Sequence, residues 1–146
     1  MALELDAAQQ LVAAPKARIL LIDDSRFIRL LFTSIFEDLG YEVAAAADGP
    51  EGILMAADRP FDVVVVDGVL PTTDGREVCR HLASLPGEKP ILLLFTASKS
   101  HFQDRYMASQ DGIDGYLQKD ASGEALVARM EQLLAVRATA RAQHSA

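Results

Sequence analysis

The chain has 146 residues, 50% of them hydrophobic, and a formal net charge of -7. That is enough apolar material for a single globular domain with a real core, while the acidic balance argues against a nucleic-acid surface, which needs cations to neutralise phosphates. The lone cysteine, Cys79, excludes an internal disulfide and a multi-cysteine metal site, and no run approaches the roughly 18 consecutive apolar residues of a membrane span.

Residues 1–17 read as an N-terminal extension. Leu5, Ala8 and Leu11 give only a weak helical stripe, and Pro15 stops it. Glu4 and Asp6 stand where a secretory signal would want positive charge, so the expected compartment is the cytoplasm. From Arg18 the pattern alternates. Strand 18–22 is followed by a helix over about 26–39, strand 42–46, a helix over about 50–58, and strand 62–66. A helix over about 75–85, strand 91–95, a helix over about 101–110, strand 114–118 and a helix over about 122–138 complete five βα units. Residues 139–146 are expected to form a tail or linker beyond the domain at 18–138.

Period separates the two element types. Ile28, Leu31, Ile35 and Leu39 fall at helical spacing, with Gly40 as the stop. Val78, Leu82 and Leu85 repeat the pattern before Pro86-Gly87, and Leu126, Met130, Leu133 and Leu134 form the last stripe. The strands are continuous aliphatic runs, as expected when helices cover both faces of a parallel sheet. Right-handed crossovers then predict an α/β, doubly wound, five-stranded parallel sheet.

Reactive groups gather at the strand ends. The run Phe61-Asp62-Val63-Val64-Val65-Val66 closes on Asp67, the first strand on Asp23-Asp24, the fourth on Thr96 and the fifth on Lys119. In open α/β sheets ligands collect beyond the carboxyl ends of the strands, so three carboxylates, a hydroxyl and an amine are predicted on one edge. Three neighbouring carboxylates repel and call for a cation. An all-oxygen set suits a hard ion such as Mg²⁺. Lys119 adds a point charge for a phosphoryl oxygen and Thr96 a hydroxyl donor. An aspartate among these groups is a candidate nucleophile toward phosphorus.

In its segments Leu21-Ile22-Asp23-Asp24-Ser25, Val66-Asp67-Gly68-Val69-Leu70-Pro71 running to Asp74-Gly75, Phe95-Thr96-Ala97 and Gly115-Tyr116-Leu117-Gln118-Lys119, the chain resembles the receiver domain of two-component response regulators, including stand-alone chemotaxis-type regulators. The resemblance covers residues 18 to about 135 and implies a (βα)5 flavodoxin-like three-layer sandwich. It implies Asp67 as phosphoacceptor, Asp24 as a direct Mg²⁺ ligand, Asp23 as one acting chiefly through water, and the backbone carbonyl of Val69 as a further ligand. Thr96 matches the switch hydroxyl, Lys119 the lysine that bonds a phosphoryl oxygen, and Tyr116 the switch aromatic. Leu70 replaces a common methionine, a volume-conserving change. Asp120 follows the lysine where many members have proline, so the usual cis X-Pro bond is not assumed. Val69 and Ser98 match positions that in that family influence how water attacks the phosphoryl group.

The function so implied is a phosphorylation-activated switch rather than an enzyme. A sensor histidine kinase or phosphotransfer protein supplies the phosphoryl group. The face built from the fourth helix, fifth strand and fifth helix, residues 101–135, controls a downstream protein or output domain, with self-association into a homodimer on phosphorylation as a further expectation. The chain is then either a stand-alone regulator or the receiver piece of a longer protein. A haloacid dehalogenase-like hydrolase also forms an aspartyl phosphate, but resembles Asp-x-Asp at its first strand and usually adds a cap domain. A flavodoxin-like cofactor binder would need a Ser/Thr-rich phosphate loop where Asp23-Asp24 stand. Cys79 is expected in the core. His81, His101 and His144 are expected on the surface, and Arg76, Glu77, Arg80 and Glu88 on a solvated face.

Overall fold

The computed structural model describes residues 15–96, 111–120 and 122–145. The five strands are β1 (Arg18–Ile22), β2 (Glu42–Ala46), β3 (Val63–Asp67), β4 (Ile91–Thr96) and β5 (Gly115–Gln118), and the described helices are α1 (Arg26–Asp38), α2 (Gly49–Asp58), α3 (Gly75–Ala83) and α4 (Glu124–Ser145). The helix expected over 101–110, with His101 and Ser98, lies outside the described residues. The sheet order is β2-β1-β3-β4-β5 and every pairing is parallel. The doubly wound expectation therefore holds. The chain leaves β1 toward β2 and returns past it to β3, so the order reverses between β1 and β3, and a crevice opens there at the carboxyl ends of the strands.

Two cores sandwich the sheet, and strand alternation assigns residues to them. Ile19, Leu21, Val63, Val65, Leu93 and Phe95 pack with Phe32 and Phe36 of α1 and Leu126 and Met130 of α4. Leu20, Ile22, Val64, Val66, Leu92 and Leu94 pack with Val78, Cys79 and Leu82 of α3, with Ile53 and Met55 of α2 at the margin. Most of these strand residues are completely buried, each contributing about 1.5–3 kcal/mol relative to exposure. Phe95 meets Phe32 edge to face at 5.1 Å between centroids. Cys79 is in the core as expected, and burial pushes its thiol up to about 12, so the inert protonated form fills space.

Caps fix where the helices begin. Ser25 Oγ accepts from Ile28 N, Asp48 Oδ1 from Glu51 N, and Asp74 Oδ1 from Arg76 N. Ser25, not Asp23 or Asp24, thus caps α1, leaving the acidic pair for other work. Gly75 permits α3 to start against the sheet, because a Cβ there would overlap the carbonyl oxygen of Asp67.

Two expectations are corrected. The last helix does not stop near 138 but runs on to Ser145. Arg137 donates to the backbone carbonyls of Asp62 and Lys89, and Arg137 and Arg141 both bind the Glu88 carboxylate, at 2.8 and 2.7 Å. Glu88 is exposed, yet paired. Arg76 is not on a solvated face: its side chain is 19% exposed and sits 2.9 Å from Asp111. His81 and His144 are exposed, as expected.

Candidate functional site

Strand register builds the site. Ile22 of β1 pairs with Val66 of β3, so the next residue on each strand, Asp23 and Asp67, stands level across the crevice. Asp24 follows at the turn into α1. One carboxylate oxygen from each of Asp23, Asp24 and Asp67 lies within 4.8 Å of the others. Asp23 and Asp67 are buried, Asp24 exposed. Lys119 enters from the neighbouring side. Asp67 pairs with Phe95, and Phe95 with Leu117; alternation puts the residue two past Leu117 on the same face. The Lys119 ammonium crosses the Phe95 ring at 5.9 Å and reaches Asp23 Oδ2 at 2.6 Å and Asp67 Oδ2 at 3.2 Å.

Asp23 is hydrogen-bonded at three of its four polar atoms. Its backbone N–H donates to Ala46 O, its Oδ1 accepts from Ser25 N, and its carbonyl accepts from Arg29 Nη1 at 2.8 Å. Its Oδ2 has no well-aligned hydrogen bond, although the Lys119 ammonium is within ion-pair distance; the contact is best described as charge against charge. Arg29 was not singled out in the sequence. Its signal was its place one turn beyond the Ser25 cap, from which a long side chain reaches back over the strand end.

Asp67 Oδ1 accepts from Val69 N at 3.1 Å. Burial, the largest effect, raises the Asp67 carboxyl above its ordinary range; the Val69 N–H opposes this, the charge of Asp23 adds to it, and Lys119 only partly offsets it. At Lys119 burial works to lower the ammonium, but the close contact and charge of Asp23, then Asp67, outweigh it and raise its pKa. The ammonium therefore stays charged, while it only partly compensates the Asp67 carboxylate. Three carboxylates with no histidine or thiolate fit a hard divalent cation, and Mg²⁺ is such an ion.

Thr96 and Tyr116 occupy the other side. Thr96 ends β4 fully buried, and its carbonyl accepts from Lys119 N at 2.9 Å. Tyr116 pairs with Leu94 and is half-buried against the α2–α3 core. By alternation Leu94, Thr96 and Tyr116 share that face. Leu70 is buried and Val69 is 60% exposed, bridged to Asp74 across the loop. Asp120, in place of proline, accepts from Gly123 N and Ser122 Oγ, so it closes the turn into α4, and no described peptide bond is cis. The structure thus brings together Asp23, Asp24, Asp67 and Lys119, with Thr96 and Val69 at the margin and Tyr116 one step behind Thr96.

Comparison with known proteins agrees with this geometry. The family model of the response regulator receiver domain matches residues 19–131. Response regulator MprA of Mycolicibacterium vanbaalenii is 42% identical over 118 residues, covering 80% of this chain and 50% of that protein; the chain spans about half the length of the curated relatives it matches. Among solved structures, response regulator TrrA of Thermotoga maritima, in complex with Mg²⁺ and BeF, has 27% identity and a TM-score of 0.72, covering 80% of this chain and 97% of that one. Chemotaxis response regulator CheY4 of Vibrio cholerae has 30% identity and a TM-score of 0.73 over the same shares, 80% and 97%. The chain belongs to the response regulator receiver domain family, the phosphorylation-dependent signalling switches of two-component systems.

Proposed function

We propose that Asp67 accepts a phosphoryl group from a phosphohistidine on a sensor histidine kinase or phosphotransfer protein, and that the resulting charge is read on the face formed by residues 101–135. The observation that carries this reading is the Lys119 ammonium held at once against Asp23 and Asp67. A carboxylate oxygen of Asp67 attacks phosphorus as the phosphorus–nitrogen bond breaks. The departing imidazole nitrogen keeps the bonding pair and takes a proton from solvent. Mg²⁺ bound by Asp23, Asp24, Asp67 and the Val69 carbonyl would neutralise the oxygens of the transferring group. Lys119 turns from Asp67 to a phosphoryl oxygen, and the Thr96 hydroxyl donates to another.

The unit that does this is residues 18–138, with an extension at 1–17 before it and a tail or linker at 139–146 after it, into which the last helix runs as far as Ser145. No described helix is long and apolar enough to cross a membrane; a cytoplasmic location and a downstream protein or output domain complete the reading, with self-association through the 101–135 face on phosphorylation. The acidic pair on β1 and the lone Asp67 on β3 run opposite to the Asp-x-Asp of dehalogenase-type hydrolases, and nothing favours that alternative.

The test is labelling with acetyl phosphate and Mg²⁺. One acid-stable, base-labile phosphoryl group per chain is expected, absent from Asp67→Asn because an amide is no nucleophile. Equal labelling of wild type and Asp67→Asn would remove Asp67 from the role.

A further inference from the structure

We propose that Arg76 and Asp111 form a positioning link that carries the state of the Asp67 loop to the segment entering β5, beside and independent of the Thr96–Tyr116 face. The inference rests on the phosphoacceptor reading of Asp67.

One end of the link is tied to Asp67 itself. Gly75 N donates to Gly68 O, Gly75 lies against the Asp67 carbonyl too closely for any side chain, and Asp74 caps the turn through Arg76 N. A displacement of the Asp67 backbone or of the loop behind it must therefore move the first turn of α3. Arg76 stands in that turn. Its guanidinium spans to Asp111, with Nε and Nη2 each 2.9 Å from Oδ2. Arg80, one turn on and largely exposed, approaches Oδ1 at 3.7 Å.

The other end is tied to β5. The Asp111 side chain is only 7% exposed, so its charge is committed to these arginines; removing one partner of such a pair leaves an uncompensated charge. Gly112 follows with φ +80, packed against Ala83 of α3. Then Ile113 is buried, and Asp114 is fixed to β4 through its N–H to Leu92 O at 2.7 Å and its Oδ2 from Leu92 N at 2.9 Å. Two residues later comes Tyr116. A planar guanidinium with two nitrogens on one carboxylate oxygen thus joins the acceptor loop to the foot of the strand that carries the switch aromatic. Such a link couples the two only if its two ends have different preferred positions in the two states, which makes it measurable.

The experiment is amide exchange of the whole chain with and without beryllofluoride and Mg²⁺, with binding followed separately by fluorine NMR. In wild type, protection at Ile113, Asp114 and β5 should change on binding. In Arg76→Gln and Asp111→Asn, binding should persist while the change at Ile113 and Asp114 is lost, and Arg76→Lys, which keeps the charge, should restore part of it. Should a single variant fail to fold, Arg76→Met with Asp111→Leu removes the pair without stranding a charge and takes its place. Wild-type protection changes in the variants, or none at 113–114 in wild type despite binding, would overturn the link alone. Absence of beryllofluoride binding to wild type would overturn the phosphoacceptor reading, and the link with it.

Discussion

Lys119 and Asp24 set the resting balance of the acidic cluster from opposite directions. The ammonium lies within 3.2 Å of two carboxylates, whereas Asp24 adds an exposed negative charge that Lys119 does not reach. Without metal, Asp24 is therefore a net source of repulsion, between about 1 kcal/mol, the value in bulk water for like charges roughly 4 Å apart, and about 4 kcal/mol, the value near a protein surface. Asp24→Ala should raise the metal-free melting temperature, by roughly 2–4 °C per kcal/mol in a chain of this size. The same substitution should abolish the stabilisation by Mg²⁺, which for wild type reaches about 2.7 kcal/mol at a hundredfold excess over its dissociation constant. Chelating the metal should accordingly lower the melting temperature of wild type and leave that of Asp24→Ala unmoved. Thermal scans of both proteins with Mg²⁺ and with chelator decide this, and an equal Mg²⁺ response in the two would remove Asp24 from the ligand set.

At the scale of elements, one carboxylate gathers two arginines from the end of α4. Arg137 and Arg141 both bind Glu88, and their hydrogen bonds, Arg141 first, hold its carboxyl below the ordinary range of 4.5. A carboxyl with a lowered folded pKa stabilises above its unfolded value and stops doing so as pH falls through the folded one. The last turns of α4 should therefore fray in acid, below about pH 4.5, and Glu88→Gln should fray them at neutral pH. Carbon chemical shifts of residues 138–145 report this directly; full helicity in Glu88→Gln at neutral pH would assign the helix end to alanine propensity alone. The clamp also shows what the sequence could not disclose. The strands were legible because burial on both faces turns them into unbroken aliphatic runs, and Asp23, Asp67, Thr96 and Lys119 were legible because each terminates such a run. Arg137, Arg141 and Arg76 were not, since their partners lie 49, 53 and 35 positions away and an arginine on an amphipathic or alanine-rich helix looks solvated in one dimension. Asp120 was legible only as a missing proline; that it closes the turn into α4 depends on Gly123 being folded back onto it.

Across the whole molecule the sheet separates the acidic cluster from the residues proposed to read it out. Asp67, Phe95 and Lys119 follow the α1–α4 face, whereas Leu94, Thr96 and Tyr116 follow the α2–α3 face, and only the strand ends bring the two sets within reach of one another. A new dianion on Asp67 would draw the Lys119 ammonium and the Thr96 hydroxyl toward the same group, and Lys119 N is already bonded to Thr96 O, so the ends of β4 and β5 should move as one. On the proposed reading, the space left by Thr96 would admit the half-buried Tyr116 ring, so that two packings of one core would be biased by one charge. Thr96→Ala should then still bind beryllofluoride, because the carboxylates and Lys119 remain, but should no longer transmit the change to Tyr116. Tyr116→Ala should likewise take the phosphoryl group on Asp67 and lose the response beyond it. Amide and ring NMR shifts of residues 115–118, recorded with and without beryllofluoride in wild type and both variants, separate uptake from transmission. If Thr96→Ala shows wild-type shifts at Tyr116, the ring moves without the hydroxyl, and the coupling must reach β5 through its backbone or through the Arg76–Asp111 link rather than through the vacated space.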